Sequence, residues 1–398
     1  MAGIASGGSG VVGEPADCDR FAHWARWQAR AGLLAFVAMM VAAFMVAAGG
    51  AIKLTTIPVA PEFAAHTIQG AADPQRGNDL LLYDRVIRRL QAGEAYYSFI
   101  VEEQRLSGYP VAPGAAVRLP TLALLLAATS PVLQFMAGLM LLGALTVAWI
   151  YRLADEGIPG SQVAGATVLV MLGAFPLVAS SLHVLHEVWA SALLALAFAV
   201  HRPGRWILSL SIAALALSIR ELVLPFVLLM ATMAFYRRDW REGSAWSVLA
   251  AVFALAYAVH LRVIAEQVLP GDMVSASWFA MGGLTSWLTK LVLSSPLNLL
   301  PPVIGGPLVI CAIVGWAGNR TPMGSFATLL LLGYGLAFML AGRPENFYWG
   351  LLLSPVLLIG FAFAPRAIAS LVRAAQPQEV IGDMVIACKR YVLHKRRA

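Results

Sequence analysis

Apolar residues fall into long blocks along this chain, and within each block they cover every side of a helix instead of alternating. Blocks of about 20 residues bounded by charge read as membrane-crossing helices. The first covers residues 31–52, and a polar stretch follows over 53–118. A short apolar piece at 119–130 precedes further blocks near 131–151, 162–181, 186–200, 206–219, 222–236, 245–265, 291–317, 325–341 and 350–364. Strands of a membrane barrel would show period-two alternation, which these blocks lack. The expected fold is therefore all-α: a polytopic transmembrane bundle of about 10 spans, by the length each crossing needs. It carries a large exterior first loop with amphipathic surface helices. The expected organisation is an N-terminal segment over 1–30, the bundle over 31–364 and a basic tail over 365–398. Proline and glycine crowd 296–307 and predict a kink or irregular turn there. The first block is long enough to be retained as a helix and does not read as a cleavable signal.

Within the polar stretch, residues 79–92 (DLLLYDRVIRRLQA) recur with helical spacing. Tyr83, Val86, Ile87 and Leu90 form one face, and Asp84, Arg85, Arg88 and Arg89 the other. Such a helix is expected to lie on the bilayer surface with its arginines at headgroup level.

Charge orients the bundle. Arg20, Arg26 and Arg30 precede the first block; Arg152, Arg202, Arg205, Arg237, Arg238, Arg241 and Arg320 fall in alternate short loops; Arg366, Arg373, Lys389, Arg390, Lys395, Arg396 and Arg397 end the chain. Short loops rich in Lys and Arg stay in the cytoplasm, which places both termini there and the 53–118 loop outside. Composition agrees: the 398 residues are 60% hydrophobic and 12% charged, with mean hydropathy +0.75. The net charge of +7 sits mostly between apolar blocks, so it argues for membrane orientation and against nucleic acid. Cys18, Cys311 and Cys388 have no metal-ligand or disulfide spacing.

Candidate chemistry gathers near the predicted exterior helix ends, where ionisable residues are costly to keep beside hydrocarbon. Asp79, after Asn78, can act as a general base or satisfy first-turn N–H groups; Asp84, four residues before Arg88, reads first as a surface ion pair. Arg118 marks the re-entry at Leu119-Pro120 and can hold a phosphate or snorkel. His183, His186 and Glu187 are spaced to share a helix face, as part of a metal site or as interfacial hydrogen-bonding groups. Arg220-Glu221 sits in a very short turn and can clamp a phosphate or sugar hydroxyl, or merely reach water. Arg343, Glu345 and Asn346 precede Phe347, Tyr348 and Trp349, aromatics that an interfacial belt would account for. No phosphate-loop or dinucleotide motif is present.

Taken in order, Asp79-Leu-Leu-Leu-Tyr83, Gly93-Glu-Ala-Tyr96-Tyr97, Gly108-Tyr-Pro110, Arg118-Leu-Pro120, Arg220-Glu221 and Gly342 through Trp349 resemble a bacterial branch of the GT-C superfamily. These are integral membrane glycosyltransferases that use polyprenyl-phosphate-linked sugars. The resemblance implies a protein of the bacterial inner membrane with a periplasmic site. A first-loop acid acts there as base, which maps onto Asp79. Asp84 is the second candidate, since many relatives carry two adjacent acids where this chain has Asn78-Asp79. It further implies inversion at the anomeric carbon, with Arg118, Arg220 and Arg343 neutralising the departing lipid phosphate. Tyr83, Glu221, Glu345 and Asn346 would contact substrate, and a surface glycan or lipid would be the acceptor. Some members need a divalent metal, for which His183, His186 and Glu187 are the candidates. The competing reading is a transporter or flippase of lipid-linked sugars, which would show broken helices and charges near the bilayer midplane. His260 and Arg262 are candidates for such charges.

Overall fold

A computed structural model describes residues 18–50 and 78–377. Cys388, the charges beyond residue 377 and the 53–77 stretch lie outside the described residues. Helices α1 (Arg26–Ala48), α2 (Asn78–Gln91), α3 (Tyr96–Leu106), α4 (Thr121–Ala127), α5 (Pro131–Asp155), α6 (Gly160–Gly173) and α7 (His186–Val200) make up the first half. The second half holds α8 (Ile207–Ile219), α9 (Leu224–Tyr236), α10 (Trp240–Ala265), α11 (Gly283–Leu293), α12 (Pro302–Gly318), α13 (Pro322–Leu340) and α14 (Ser354–Ala375). No strand occurs among the described residues, only isolated bridges such as Ala112–Val274. Five helical segments are long and apolar enough to cross a membrane: α1, α5, α10, α13 and Pro344–Ala375, which ends in α14. Helices α6 to α9 and α12 are apolar but shorter.

Local chemistry sets the boundaries. Proline opens α5, α12 and α13, where its missing N–H is harmless. Ser130 and Thr321 cap two of these helices by accepting from Leu133 N at 3.3 Å and Gly324 N at 3.1 Å. The block expected at 162–181 stops as a helix at Gly173, because Pro176 follows and the chain turns through short 3-10 segments. The block expected at 291–317 divides into α11 and α12 around Pro296, Pro301 and Pro302. Helix α14 runs through Pro365 to Ala375, so the first part of the segment assigned to a tail is helical and buries Ala367 and Leu371.

Helices α12 and α14 meet backbone to backbone. A Cβ on Gly315 would lie 2.0 Å from the Gly360 carbonyl oxygen, and one on Gly360 would lie 2.1 Å from that of Ala312. Small residues permit this approach between apolar helices, where dispersion and not exclusion from water drives association.

Contacts define two ends of the bundle. At one, Arg152 bonds the His201 carbonyl, Arg202 pairs with Asp155 at 2.8 Å and Glu242 binds His201 and Arg237. The same end holds Arg20 N on Gly318 O, Arg30 on Ala375 O and Arg366 near Asp19. This basic end gathers the starts of α1, α8, α10 and α13 with the ends of α5, α7, α9, α12 and α14. The alternate basic loops of the sequence do share one face.

At the far end, α2 departs from its expected setting. Its apolar face is covered by protein: Leu82 and Val86 are buried with Phe99, Ile100 and Val117. Its arginines are also taken. Arg85 binds Glu103 at 2.6 Å, and Arg89 binds Glu94 at 2.6 Å while lying 4.5 Å over the Phe99 ring. The acids of the 94–103 segment pair with both arginines.

Candidate functional site

The far end holds a polar cluster assembled from several separate stretches. Arg118, at the entry to α4, is its hub. Tyr96 fixes its backbone by donating to the Arg118 carbonyl at 2.6 Å. The guanidinium donates from Nε to Tyr83 Oη at 3.2 Å and from Nη2 to Tyr348 Oη at 3.0 Å. Tyr348 lies 3.5 Å from Asn346 Nδ2, and Asn346 Oδ1 accepts from Arg343 N at 3.1 Å. Glu187 and Glu221 also act electrostatically on Arg118.

Arg220 forms the floor. It ends α8 in an extended conformation, with φ −144° and ψ 115°, before the 3-10 turn Glu221–Val223. Tyr334 on α13 holds that turn by donating to Leu222 O at 2.5 Å. Arg220 is 0% exposed and Glu187 2% exposed, with Arg220 Nε donating to Glu187 Oε1 at 2.5 Å. Glu221 accepts from Nη1 of the same guanidinium. Arg220 is thus a buried ion-pair partner; its charge does not reach water from an exposed turn.

Asp79 lies in the first turn of α2, where a carboxylate is favoured by the helix dipole. It is exposed and accepts from the Tyr109 hydroxyl. Its charge acts on Tyr83 as well. Asp84 is five residues on, about 140° around the helix at 100° per residue, and so does not share the Asp79 face.

The other expected residues separate. His183 precedes α7 and is not on its face with His186 and Glu187; its Nε2 donates to Leu177 O at 2.8 Å. Glu187 is committed to Arg220. Among the described residues no three His, Cys, Asp or Glu side chains converge as ligands for a metal ion. Glu345 is exposed, 3.9 Å from Arg343, whose Nη2 is 3.5 Å from Ser275 Oγ. Arg343 and Asn346 therefore join the cluster through Tyr348, and Glu345 stays outside it. His260 is internally satisfied: Tyr97 donates to Nδ1 at 3.0 Å, and Nε2 donates to Val117 O at 3.2 Å. Arg262 is exposed and pairs with Glu266.

Two residues of the far end escaped the sequence reading. Tyr348 looked like one member of an aromatic belt, yet it bridges Arg118 and Asn346. Lys290 on α11 is 1% exposed and donates to Ser286 Oγ at 2.5 Å and Gly342 O at 3.1 Å. A lysine inside the apolar run LTKLVL was a legible signal for it.

The buried part of the cluster sits on short helices. Helix α7 has 15 residues and α8 has 13. At 1.5 Å per residue they rise only about 20 Å from the basic end, whereas the 26-residue α10 rises about 39 Å. Glu187 and Arg220 therefore sit at the far ends of short helices, buried among longer neighbours. Comparisons of the chain with protein-family models, with curated proteins and with solved structures find no match.

Proposed function

We propose that the protein is an integral membrane glycosyltransferase that takes a sugar from a polyprenyl-phosphate donor and passes it, with inversion, to a surface glycan or lipid. The observation that carries this reading is the presence at one end of the bundle of a buried guanidinium, Arg220, a half-buried one, Arg118, and an exposed carboxylate, Asp79, whose charge acts on the tyrosine that Arg118 bonds. A phosphate leaving group needs fixed positive charge, and an acceptor hydroxyl needs a base within reach. Asp79 takes the proton of the acceptor hydroxyl as its oxygen attacks the anomeric carbon. The bond from that carbon to the phosphate oxygen breaks, and its electron pair stays on the phosphate beside Arg118. Arg343 guards the rim, and Tyr83, Glu221 and Asn346 are the groups placed to meet the sugar. No step is assigned to a metal.

In a bacterial inner membrane the basic end is cytoplasmic, by the excess of arginine in its loops. Ten apolar helices, α1, α5 to α10 and α12 to α14, then alternate between the two ends and leave both described chain ends inside. The hydrocarbon core is about 30 Å thick, so helices that rise about 20 Å from the cytoplasmic face end within the outer part of the membrane. The transporter reading draws support from the buried Arg220–Glu187 pair and from the broken helices around Pro176 and Pro344. The accessible carboxylate favours chemistry.

The test uses purified full chain with a radiolabelled polyprenyl-phosphate sugar. Wild type is expected to release or transfer sugar, and Asp79→Asn to lose at least about 100-fold in rate, the usual scale of general-base removal, with its fold unchanged. Equal turnover removes Asp79 from the reaction. Protein-dependent movement of the donor across vesicles without sugar release supports the transporter.

A further inference from the structure

Beside the cluster, α2, α3 and α4 line a narrow cleft that opens to solvent. Most of its wall is aliphatic: Leu82, Val86, Ile87, Ile100, Leu122 and Leu126. One side is polar, where Arg118, Tyr83 and His186 line it. Of these, His186 is anomalous. It is 3% exposed, its ring lies 5.2 Å edge-on from Tyr83, and neither ring nitrogen has a hydrogen-bond partner. The Leu119 carbonyl acts weakly on the ring without closing a hydrogen bond. Arg220 Nη2, on the cluster floor and electrostatically coupled to His186, is buried without an acceptor as well.

A buried imidazole with neither nitrogen in a well-formed hydrogen bond loses hydration and recovers little of it inside the fold. Leu119 and Tyr83, its neighbours, do not repair this. A ligand that fills the cleft would. The wall specifies an amphiphile: an apolar chain against the aliphatic residues, and a head with oxyanion character within reach of Arg118 and the imidazole.

We infer that His186 is a ligand-binding residue of this cleft, hydrogen-bonding the head of a prenyl monophosphate whose chain lies along α2 and α4. The choice of a prenyl chain rests on the proposed function; the binding role of His186 rests on its burial and its unused nitrogens. A structural role would make the empty protein depend on His186. A binding role makes only the complex depend on it.

Full-length protein in detergent micelles, titrated with farnesyl phosphate and with farnesol, separates these roles. Wild type is expected to bind the phosphate at least tenfold more tightly than the alcohol. His186→Phe should weaken phosphate binding by about tenfold or more, the worth of a hydrogen bond to a charged group, while the melting temperature of the empty protein stays unchanged or rises. In ¹⁵N-histidine-labelled wild type, the imidazole resonance absent from His186→Gln should move when farnesyl phosphate is added. The inference is overturned if wild type does not bind farnesyl phosphate, if the Phe variant binds it equally, if that variant melts lower when empty, or if the resonance stays put. Should the Phe variant not fold, the resonance decides alone. Binding that persists without sugar transfer would remove the transferase and leave this site standing.

Discussion

Arg220 makes its ion pair with Glu187 where neither side chain meets solvent. Such a pair is a poor source of stability as a whole, since desolvation offsets the attraction, but removing one member strands a buried charge. Arg220→Met alone should therefore cost about 3–5 kcal/mol, and Glu187→Met with Arg220→Met should recover most of it. Unfolding in mixed micelles, followed by circular dichroism, measures both. A double variant as unstable as the single one would mean that Glu221, not Glu187, is the partner that matters. Tyr83 and Tyr348 work at the same scale in the opposite sense. Each phenol oxygen accepts from Arg118, so together they fix the direction of a cation without neutralising it and leave its charge to meet an anion.

Helix α3 and the loop after α10 are joined by Arg105 and Asp272, at 2.6 Å. The Arg105 guanidinium, and then the Leu269 N–H, hold the Asp272 carboxyl down to about 2. Because the folded-state value is depressed, this contact contributes fully above the ordinary carboxylate range, near 3.8, and is lost as pH falls toward 2. Docking of the loop on α3 should thus persist from neutral pH down through pH 4 and loosen below it. In Arg105→Ala, the Asp272 carboxyl ¹³C resonance should titrate back in the ordinary range. An unchanged titration would show that the Leu269 N–H suffices. The loop matters because it frames the site: Gly342 N donates to Trp278 O, and Arg343 reaches Ser275.

For the whole molecule, unequal helix length is the decisive feature. Long α5 and α10 stand beside short α7 and α8, which lowers the charged junctions below the tops of their neighbours. Leu133 and Leu215 are both exposed and lie near the far ends of α5 and α8 respectively. Nitroxides placed there, on protein in bilayers with its native cysteines replaced, should report different depths. The label at 133 should favour an aqueous nickel chelate, and the label at 215 should favour oxygen, which concentrates in hydrocarbon. Equal depth would place Arg220 at the membrane surface.

The sequence by itself determined the helical class, the order and approximate reach of nearly every helix, and the gathering of basic loops on one face. Those follow from local properties: runs of apolar residues, prolines at helix starts, arginines between blocks. It also singled out Asp79, Arg118 and Arg220 as candidates, each weighed against a structural role. Which side chains meet was decided only by tertiary structure. His183, His186 and Glu187 lie close in sequence yet part company, because the helix begins at His186 and Arg220 claims Glu187 from 33 residues away. The arginines of α2 look free for lipid until α3 brings its glutamates across. Tyr348, in a run that resembles an interfacial belt, turns inward to Arg118 across 230 residues of chain. Pairings at such separations depend on how apolar helices pack, and periodicity along one helix carries no record of its neighbour.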